Sequence, residues 1–408
     1  MNQQPALGRR LGTADAVVLG LASMVGAGVF AAFAPAAAAA GSGLLLGLAL
    51  AAVAALCNAT SSASLAAQYP SSRGTYLYGR QRLGPWPGFV AGWGFVLGKS
   101  ASSAAMAMTF AAYVAPAGWE RPVAIAAVTA LAAVNYRGIT RTARLARILV
   151  VAVLAALAVA VAAGWAAGTA SMPRLLGEGL VAHGWYGILQ SAGLLFFAFA
   201  GYARIATMGE EVKDPAKTIP RAILAALGIA VVLYAAAGPW PWAGPVVAAG
   251  AALAALGALL GLLAGLGRTV MAMAREADLP PALAAVHPRF HVPHGAEVAL
   301  AVLICAVILV ADLRGAIGFS SFGVLVYYLV ANLAALAQTP EHRRYPRVLA
   351  VLGAVLCVVL AATLPPGSVL AGLAMFGVGI VYRLLRLRLA RPPNQGAETA
   401  QNGRETDD

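Results

Sequence analysis

The sequence predicts an all-α integral membrane protein with about twelve transmembrane helices. Of its 408 residues, 61% are hydrophobic and only 11% are charged, whereas soluble domains contain about 25% charged residues. The apolar residues lie in long runs, and basic residues are concentrated in the short segments between them. A bilayer core about 30 Å thick requires about 20 apolar residues per helix, a length that most of these runs reach. The composition therefore excludes a soluble globular enzyme.

Charged residues, glycines and prolines delimit about twelve predicted spans, which we number in chain order. Their approximate limits are 14–37, 43–67, 86–115, 122–136, 143–166, 185–207, 219–238, 246–273, 296–311, 315–338, 347–363 and 367–385. The small residues that dominate the spans allow close helix packing in lipid. The chain is thus predicted to form a packed multi-pass bundle.

The distribution of basic residues predicts the orientation of the bundle. The chain has 28 lysines and arginines against 15 acidic residues, a net charge of +13. Most of the basic residues fall in loops on the side of the amino terminus, whereas Arg121, Arg174 and Arg314 are the only ones in the opposite loops. Positively charged loops stay in the cytoplasm. We therefore expect a protein of the cytoplasmic (inner) membrane with both termini in the cytoplasm and no nucleic-acid partner.

The spans divide the chain into five predicted segments. These are a cytoplasmic tail at 1–12, a first unit of five spans at 13–166, a second unit of five spans at 184–338, two further spans at 346–386, and a polar, disordered cytoplasmic tail at 391–408. The start of the chain superficially resembles a signal peptide. Gly26 and Gly28 interrupt its apolar run and many spans follow, so we predict that it is kept as span 1.

No cofactor or metal site is predicted. The three cysteines lie in separate apolar stretches without metal-like spacing. His287, His291 and His294 have a spacing found in metal sites, but Pro288 and Pro293 break the helix that this spacing requires. A membrane-embedded enzyme would need His, Asp and Glu clustered near one membrane face, and the sequence has no such cluster.

Two predicted spans are interrupted near their middle. Span 1 contains a glycine-rich segment at 25–29, and span 6 contains one at 199–202. Either segment alone is also explained by close helix packing. Interrupted helices at corresponding places in two halves, however, are the sequence feature that points to a transporter's binding site. Span 6 begins five spans after span 1, so it enters the membrane from the opposite side. Spans 1–5 and 6–10 are therefore predicted to form an inverted repeat.

The two interruptions favour a small zwitterionic ligand. Backbone amides at 27–29 would carry the positive end of a helix dipole and suit a carboxylate. The carbonyls of Met24, Phe197, Ala198 and Ala200 would carry the negative end and suit an ammonium. Exposed backbone at this depth is tolerated only beside a cavity or ligand. The sequence therefore predicts a pocket of amino-acid size.

The chain resembles the amino acid–polyamine–organocation (APC) superfamily over spans 1 to 10. Four stretches carry the resemblance: ASMVGAGVF (22–30), YPSSRGTYLYGRQRLG (69–84), FFAFAGYARIATMGEEVKDPAKTIPRAI (196–223) and RTVMAMAREADLPPALAAVHPR (268–289). The resemblance implies the leucine-transporter-type five-plus-five fold, alternating access, and an amino acid held by the two unwound segments.

Candidate site residues follow from the resemblance and from the interruptions. Met24, Ala27 and Gly28 would hold the backbone groups of the substrate, and Phe197 would be the aromatic outer gate. Leu262 stands where some members have a bulky aromatic residue. The full set of candidate substrate-binding residues is Met24, Gly26, Ala27, Gly28, Lys99, Phe197, Ala198, Ala200, Gly201 and Leu262; Phe197, Lys99 and Arg204 are the candidates for gating or coupling.

The sequence departs from the superfamily pattern at the ion-coupling positions. Many members have an acidic residue two positions after the glycine of span 6, where this chain has Ala203 followed by Arg204. A coupling lysine would lie near Val153, and span 5 contains none. Sodium-coupled members use hydroxyls of span 8, yet 246–267 has no serine or threonine. The usual sodium site is therefore not expected.

Lys99 in span 3 and Arg204 in span 6 lie within the membrane without an acidic residue deep in any span to pair with. A charge at such depth costs roughly 2.5–3.5 kcal/mol on insertion scales and faces a cavity or a partner. Two interpretations of Lys99 stay open: a titrating or substrate-reading group, or a structural cation bound to free carbonyls. For Arg204 they are a cytosolic gate, or packing and snorkelling.

The sequence thus predicts a secondary transporter, not an enzyme, that moves amino acids across the cytoplasmic membrane by proton symport or by exchange. The expected partners are a small amino acid, the lipid bilayer and protons as coupling ions. An exchanger of polyamines or organic amines is the alternative. A channel is a further alternative and would need a pore ring from a repeated subunit motif.

Overall fold

The computed structural model describes residues 31–71, 73–138, 183–202, 212–236, 244–290 and 292–389, and short pieces at 12–14, 16–17, 24, 145, 148–149, 151–153, 155 and 205. Within these residues the chain forms α-helices and short 3-10 turns, and no β-strand. The helices are α1 (Phe33–Ala40), α2 (Leu44–Gln68), α3 (Gly74–Leu83), α4 (Pro85–Val114), α5 (Glu120–Tyr136), α6 (Gly184–Phe199), α7 (Pro215–Ala236), α8 (Gly244–Arg275), α9 (His294–Val310), α10 (Leu313–Leu336), α11 (Arg347–Ala362) and α12 (Pro366–Leu389). The all-α prediction is confirmed.

The helices agree with the predicted spans wherever both can be compared. Helices α2, α4 and α5 coincide with spans 2 to 4, and α6 to α12 coincide with spans 6 to 12, while α1 holds the end of span 1. Most of span 5 and both predicted tails lie outside the described residues. By length and composition, four described segments suffice to cross a membrane: Phe33–Gln68, Ala249–Arg275, Leu313–Leu336 and Pro366–Arg388. Twelve crossings therefore remain a prediction.

Apolar side chains cover the outer faces of the last helices. Val302 on α9, Val348 on α11 and Leu370 on α12 are each about two thirds exposed or more, at 66%, 72% and 68%. Water-soluble proteins rarely expose large continuous apolar patches. These faces fit lipid tails, as expected of a multi-pass membrane protein.

Helices α2 and α4 lie in the interior of the bundle. Helix α4 packs against α3, α5, α8, α9 and α10, and α2 packs against α6, α7, α10 and α11. Helix α1 also packs against α6, and α5 packs against α9. These contacts place α4 and the end of α6 deep inside the protein, where the candidate site is found.

Glycines set the distance between α4 and α10. A Cβ atom added at Gly323 on α10 would lie 2.8 Å from the carbonyl oxygen of Gly94 and 3.1 Å from Cα of Gly98, both on α4. Close approach through small residues is the usual way that membrane helices pack. One turn away, the hydroxyls of Ser102 and Ser320 are 2.5 Å apart and join the same two helices.

We expect Gly323→Ala to lower the thermal unfolding temperature of the detergent-purified protein. The added methyl group would press on backbone atoms of α4, and overpacking typically costs about 1–3 kcal/mol. Gly377→Ala on α12 is the matched control, because nothing lies within 4 Å of its added Cβ. An equally small change in both variants would show that α4 and α10 are not held this closely.

Candidate functional site

The α-helical part of span 6 ends inside the protein. Helix α6 stops at Phe199, and Ala200 begins a 3-10 turn that runs to Tyr202. Ala200 and Gly201 are buried, as are Phe197 and Ala198 before them. The α-helix thus ends at the place where the sequence suggested an interruption.

Lys99 of α4 contacts this helix end. Its side chain is only 4% exposed, and Nζ donates a hydrogen bond to the carbonyl oxygen of Ala200 at 3.1 Å. A cation is favourable beside the carboxyl end of a helix because the helix dipole is negative there. Within the described residues no carboxylate forms an ion pair with Lys99. Among the described residues, the carbonyl of Ala200 is therefore the hydrogen-bond acceptor that stabilises this buried ammonium.

Hydroxyl groups on α4 surround Lys99 along the helix. Ser103 Oγ donates to the Lys99 carbonyl at 3.0 Å, and Ser100 Oγ donates to the Val96 carbonyl at 2.8 Å. Both bonds stay within α4, so neither hydroxyl competes for the Ala200 carbonyl. Lys99 therefore links α4 to the end of α6 by a side-chain hydrogen bond.

The other candidate residues are distributed as follows. Met24 is fully buried, Phe197 is 4% exposed and Leu262 on α8 is partly buried. Gly26, Ala27, Gly28 and Arg204 lie outside the described residues, as does Ala203. The structure therefore brings Lys99 and Ala200 together, whereas the carboxylate-binding role of span 1 and the role of Arg204 stay predictions.

A second cluster of polar residues, which the sequence analysis did not single out, surrounds Asp278 in the loop after α8. Asp278 is 6% exposed. Its Oδ2 accepts hydrogen bonds from the Tyr76 hydroxyl at 2.7 Å and from Arg80 at 2.9 Å, both on α3. Its Oδ1 accepts one from Arg383 on α12 at 2.7 Å. One carboxylate therefore joins α3, α12 and the loop after α8.

Arg383 is held by two aromatic rings as well as by Asp278. Its guanidinium carbon lies 4.8 Å from the ring centre of Trp86 and 4.7 Å from that of Phe89, both at the start of α4. Stacking of this kind stabilises a desolvated arginine. Arg383 is 6% exposed, so α12 is attached to the central bundle by a buried charge.

Tyr76 belongs to this buried cluster and does not lie at the membrane surface. From the sequence, Tyr76 and Tyr78 in the polar stretch 69–84 between spans 2 and 3 are expected to anchor a short amphipathic segment at the cytoplasmic surface. The short helix exists as α3, but both tyrosines are fully buried, so the anchoring role is wrong. Burial, together with the hydrogen bond to Asp278, raises the pKa of Tyr76. Its hydroxyl therefore keeps its proton and remains a donor to Asp278 at physiological pH.

Glu276 forms the exposed edge of the same cluster. It pairs with Arg73 at 3.0 Å and with Arg80 at 3.2 Å, and its side chain is 36% exposed. Solvent-exposed pairs contribute little to stability. Glu276 and Asp278 therefore share Arg80 but differ in burial, a contrast that allows their contributions to be separated by mutation.

Comparison with known proteins identifies the class of protein. A family model described as Amino acid permease matches residues 11–238 and 235–382. An uncharacterized transporter of Mycobacterium tuberculosis is 54% identical over 97% of this chain and 96% of its own length. A branched-chain amino acid permease of Bacillus subtilis is 25% identical over 71% of this chain and 72% of its own. The human cationic amino acid transporter 4 is 28% identical, over 80% and 59%.

The family match covers most of the chain, in agreement with the four sequence stretches and the helical bundle with its lipid-facing exterior. The names of the similar proteins point to transport and not to an enzyme. The chain belongs to the amino acid permease family and is a multi-pass membrane transporter.

Proposed function

We propose that this protein is a secondary transporter that moves amino acids across the cytoplasmic membrane by alternating access. Transport is by proton symport or by exchange, and both termini lie in the cytoplasm. The single observation that carries the proposal is the bond between Lys99 Nζ and the Ala200 carbonyl at the buried end of α6. A helix end inside a membrane bundle is tolerated where a ligand or cavity meets it. The arrangement fits a site that binds a cationic group at the end of α6.

Helix packing supports the proposed inverted repeat. If spans 1–5 and 6–10 are equivalent, their members pair as 1 with 6, 2 with 7, 3 with 8 and 4 with 9. Each of these pairs is in contact: α1 with α6, α2 with α7, α4 with α8 and α5 with α9. Contacts between equivalent helices are expected where two repeats meet around a shared axis. The substrate and coupling sites of such transporters lie at that junction.

The proposed site would hold an amino acid by its two backbone charges. Met24, Gly26, Ala27 and Gly28 of span 1 are assigned to the carboxylate side. Phe197, Ala198, Ala200 and Gly201 of span 6 are assigned to the ammonium side, with Phe197 also as outer gate. Leu262 is assigned to the pocket wall. Support comes from the burial of the span 6 residues and of Met24, together with the anion preference of helix amino termini.

Lys99 favours substrates with a single positive charge. Its ammonium already contacts the carbonyl of Ala200, so a substrate ammonium must share this place or displace Lys99. A second substrate cation would meet repulsion from Lys99 in a region of low dielectric. We therefore expect neutral amino acids to be better substrates than dibasic amino acids and polyamines, although three of the similar proteins are named cationic amino acid transporters.

Counterflow in proteoliposomes tests the proposal. We first expect a neutral amino acid to raise the unfolding temperature of the purified protein in a screen of common amino acids and polyamines, because binding stabilises the folded state. Preloading the vesicles with that unlabelled amino acid should then accelerate uptake of its labelled form. Vesicles without protein are the control. Uptake that preloading leaves unchanged would indicate a channel, and counterflow with polyamines alone would favour the amine exchanger.

A further inference from the structure

A narrow cleft lies between α2, the end of α10 and the start of α11, away from Lys99 and Ala200. It is narrow and open to the surface of the protein, and Ser61, Ser64, Gln338, Arg343 and Arg347 are among its lining residues. No acidic residue is among those that line it. The cleft therefore combines polar walls with uncompensated positive charge.

The polar walls are held in place by hydrogen bonds within the protein. Ser61 Oγ donates to Asn332 Oδ1 at 2.7 Å, and Ser64 Oγ donates to Gln338 Oε1 at 2.8 Å. The backbone amide of Arg344 donates to Ser64 Oγ at 3.3 Å. These bonds hold the walls of the cleft in place and use the hydroxyls of Ser61 and Ser64. The arginines are therefore the groups available to bind a ligand.

The two arginines of the cleft retain free donors. One terminal nitrogen of Arg343 donates to the Gln338 carbonyl at 2.6 Å, which orients the guanidinium. Its Nε is buried without an acceptor among the described residues. Arg347 is exposed and makes no hydrogen bond or ion pair with the part of the chain that is described. Arginine donors in this arrangement match the oxygens of a phosphate group.

An apolar, exposed strip begins directly beside the cleft. It runs along α11, whose first residue is Arg347, and consists of Val348, Val351, Val355 and Val358, which are 72%, 49%, 52% and 53% exposed. In a membrane this strip contacts acyl chains. A molecule with a phosphate at the arginines and hydrocarbon along α11 would satisfy both surfaces.

We propose that this cleft is a binding site for the phosphate group of an anionic phospholipid in the cytoplasmic leaflet. The charge of the two arginines supplies the preference for an anion, and the valine strip supplies the preference for a lipid over a soluble phosphate. Basic pockets between transmembrane helices on the cytoplasmic side bind anionic headgroups in this way. The inference rests on the membrane orientation proposed above but not on the identity of the transported substrate.

Thermal unfolding of the full-length protein in a neutral detergent tests the site. Delipidated protein is mixed with phosphatidylglycerol, with phosphatidylcholine or with inorganic phosphate. We expect phosphatidylglycerol to raise the unfolding temperature by about 4 °C or more and the other two to have little effect. Arg343→Gln/Arg347→Gln should lose more than half of this shift. Arg344→Gln/Arg388→Gln removes the same charge from exposed positions outside the cleft and should keep it.

Three results would overturn the proposal. Equal loss in the two double variants would show general attraction to basic residues. Equal shifts with phosphatidylglycerol and phosphatidylcholine would show that the site does not distinguish an anionic headgroup from a zwitterionic one, and a full shift with inorganic phosphate would assign the cleft to a soluble anion. If the cleft variant does not fold, Arg347→Gln alone decides: a reduced shift supports the site and an unchanged shift refutes it. Counterflow activity is measured separately, so failure here leaves the proposed transport function untouched.

Discussion

Replacing Lys99 with methionine is expected to lower amino acid uptake in proteoliposomes by roughly 10- to 100-fold and to remove most of its pH dependence. Methionine retains most of the length and apolar body of lysine but has neither a charge nor a donor for the Ala200 carbonyl. Hydrogen bonds to charged groups contribute about 1.5–3 kcal/mol, and each 1.4 kcal/mol corresponds to a factor of ten. The loss should appear in transport because the contacted carbonyl lies at the end of α6.

Substrate preference gives a second measurement for the same variant. Lys99 repels a second substrate cation in our proposal, so Lys99→Met should improve dibasic amino acids relative to neutral ones. Ser100→Ala is the matched control: Ser100 is also buried on α4, next to Lys99, but its hydroxyl donates to the Val96 carbonyl of its own helix and, in the described part of the chain, to no other helix. We expect this control to keep the wild-type pH profile and order of substrates.

The structural interpretation of Lys99 predicts a different outcome. A cation that merely satisfies a helix end would affect stability without entering the transport cycle. Lys99→Met would then unfold at a lower temperature, while the folded fraction would transport with unchanged pH dependence and unchanged substrate order. Normalising uptake to folded protein separates the two interpretations, because only the functional one changes the order of substrates.

The helical bundle could be predicted because each span is a local feature of the sequence. A run of about 20 apolar residues requires no knowledge of its neighbours, and α7 to α12 accordingly begin and end within a few residues of the predicted limits, whereas α6 ends eight residues early, at the interruption of span 6. The interruption of span 6 was also local, since Gly201 follows an apolar run directly. A short segment at α3 also follows from the local sequence, but the burial of its tyrosines does not.

Contacts between distant segments could not be predicted in the same way. The sequence left Lys99 with two interpretations, because its partner lies 101 positions away and depends on how α4 packs near α6. Sequence alone places Tyr76 and Tyr78 at the membrane surface, because polar segments between spans usually lie there. Their burial depends on the packing of α3 against α4 and α10, which no local pattern reveals.

Asp278 is a structural contact that a local sequence pattern does not identify. The stretch 268–289 carries the family resemblance, and its pattern assigns no partner to its single aspartate. An acidic residue between two apolar helices in a strongly basic chain has many possible arginine partners. Only the structure selects Arg80 and Arg383, which lie 198 and 105 positions away. The one indication in the sequence is the excess of basic over acidic residues in the loops, which makes an arginine partner for Asp278 expected without identifying it.

Asp278→Asn is expected to cause the largest loss of stability among the substitutions considered. The substitution removes the negative charge on which Arg383 and Arg80 converge, and Arg383 is too buried to be compensated by water. Breaking a buried pair by removing one partner typically costs about 3–5 kcal/mol, because the remaining charge is left uncompensated. We therefore expect a markedly lower unfolding temperature and a lower yield of folded protein.

Glu276→Gln provides the matched control for Asp278→Asn. Glu276 lies two residues away and also pairs with Arg80, but at the exposed edge of the cluster. Exposed ion pairs contribute about 0–1 kcal/mol, so this variant should unfold almost as the wild type does. Similar effects of the two substitutions would show that burial around Asp278 does not decide its contribution.

The double variant Asp278→Asn/Arg383→Met tests whether the cost arises from the uncompensated arginine. Methionine keeps an apolar chain against Trp86 and Phe89 but carries no charge. Since the buried guanidinium is then absent, the double variant should unfold at a higher temperature than Asp278→Asn alone. Additive losses would instead indicate that Asp278 acts through Tyr76 and Arg80 on α3, independently of α12. The double variant therefore determines how much the bond between Asp278 and Arg383 contributes to holding α12, which also packs against α4 and α10, in the bundle.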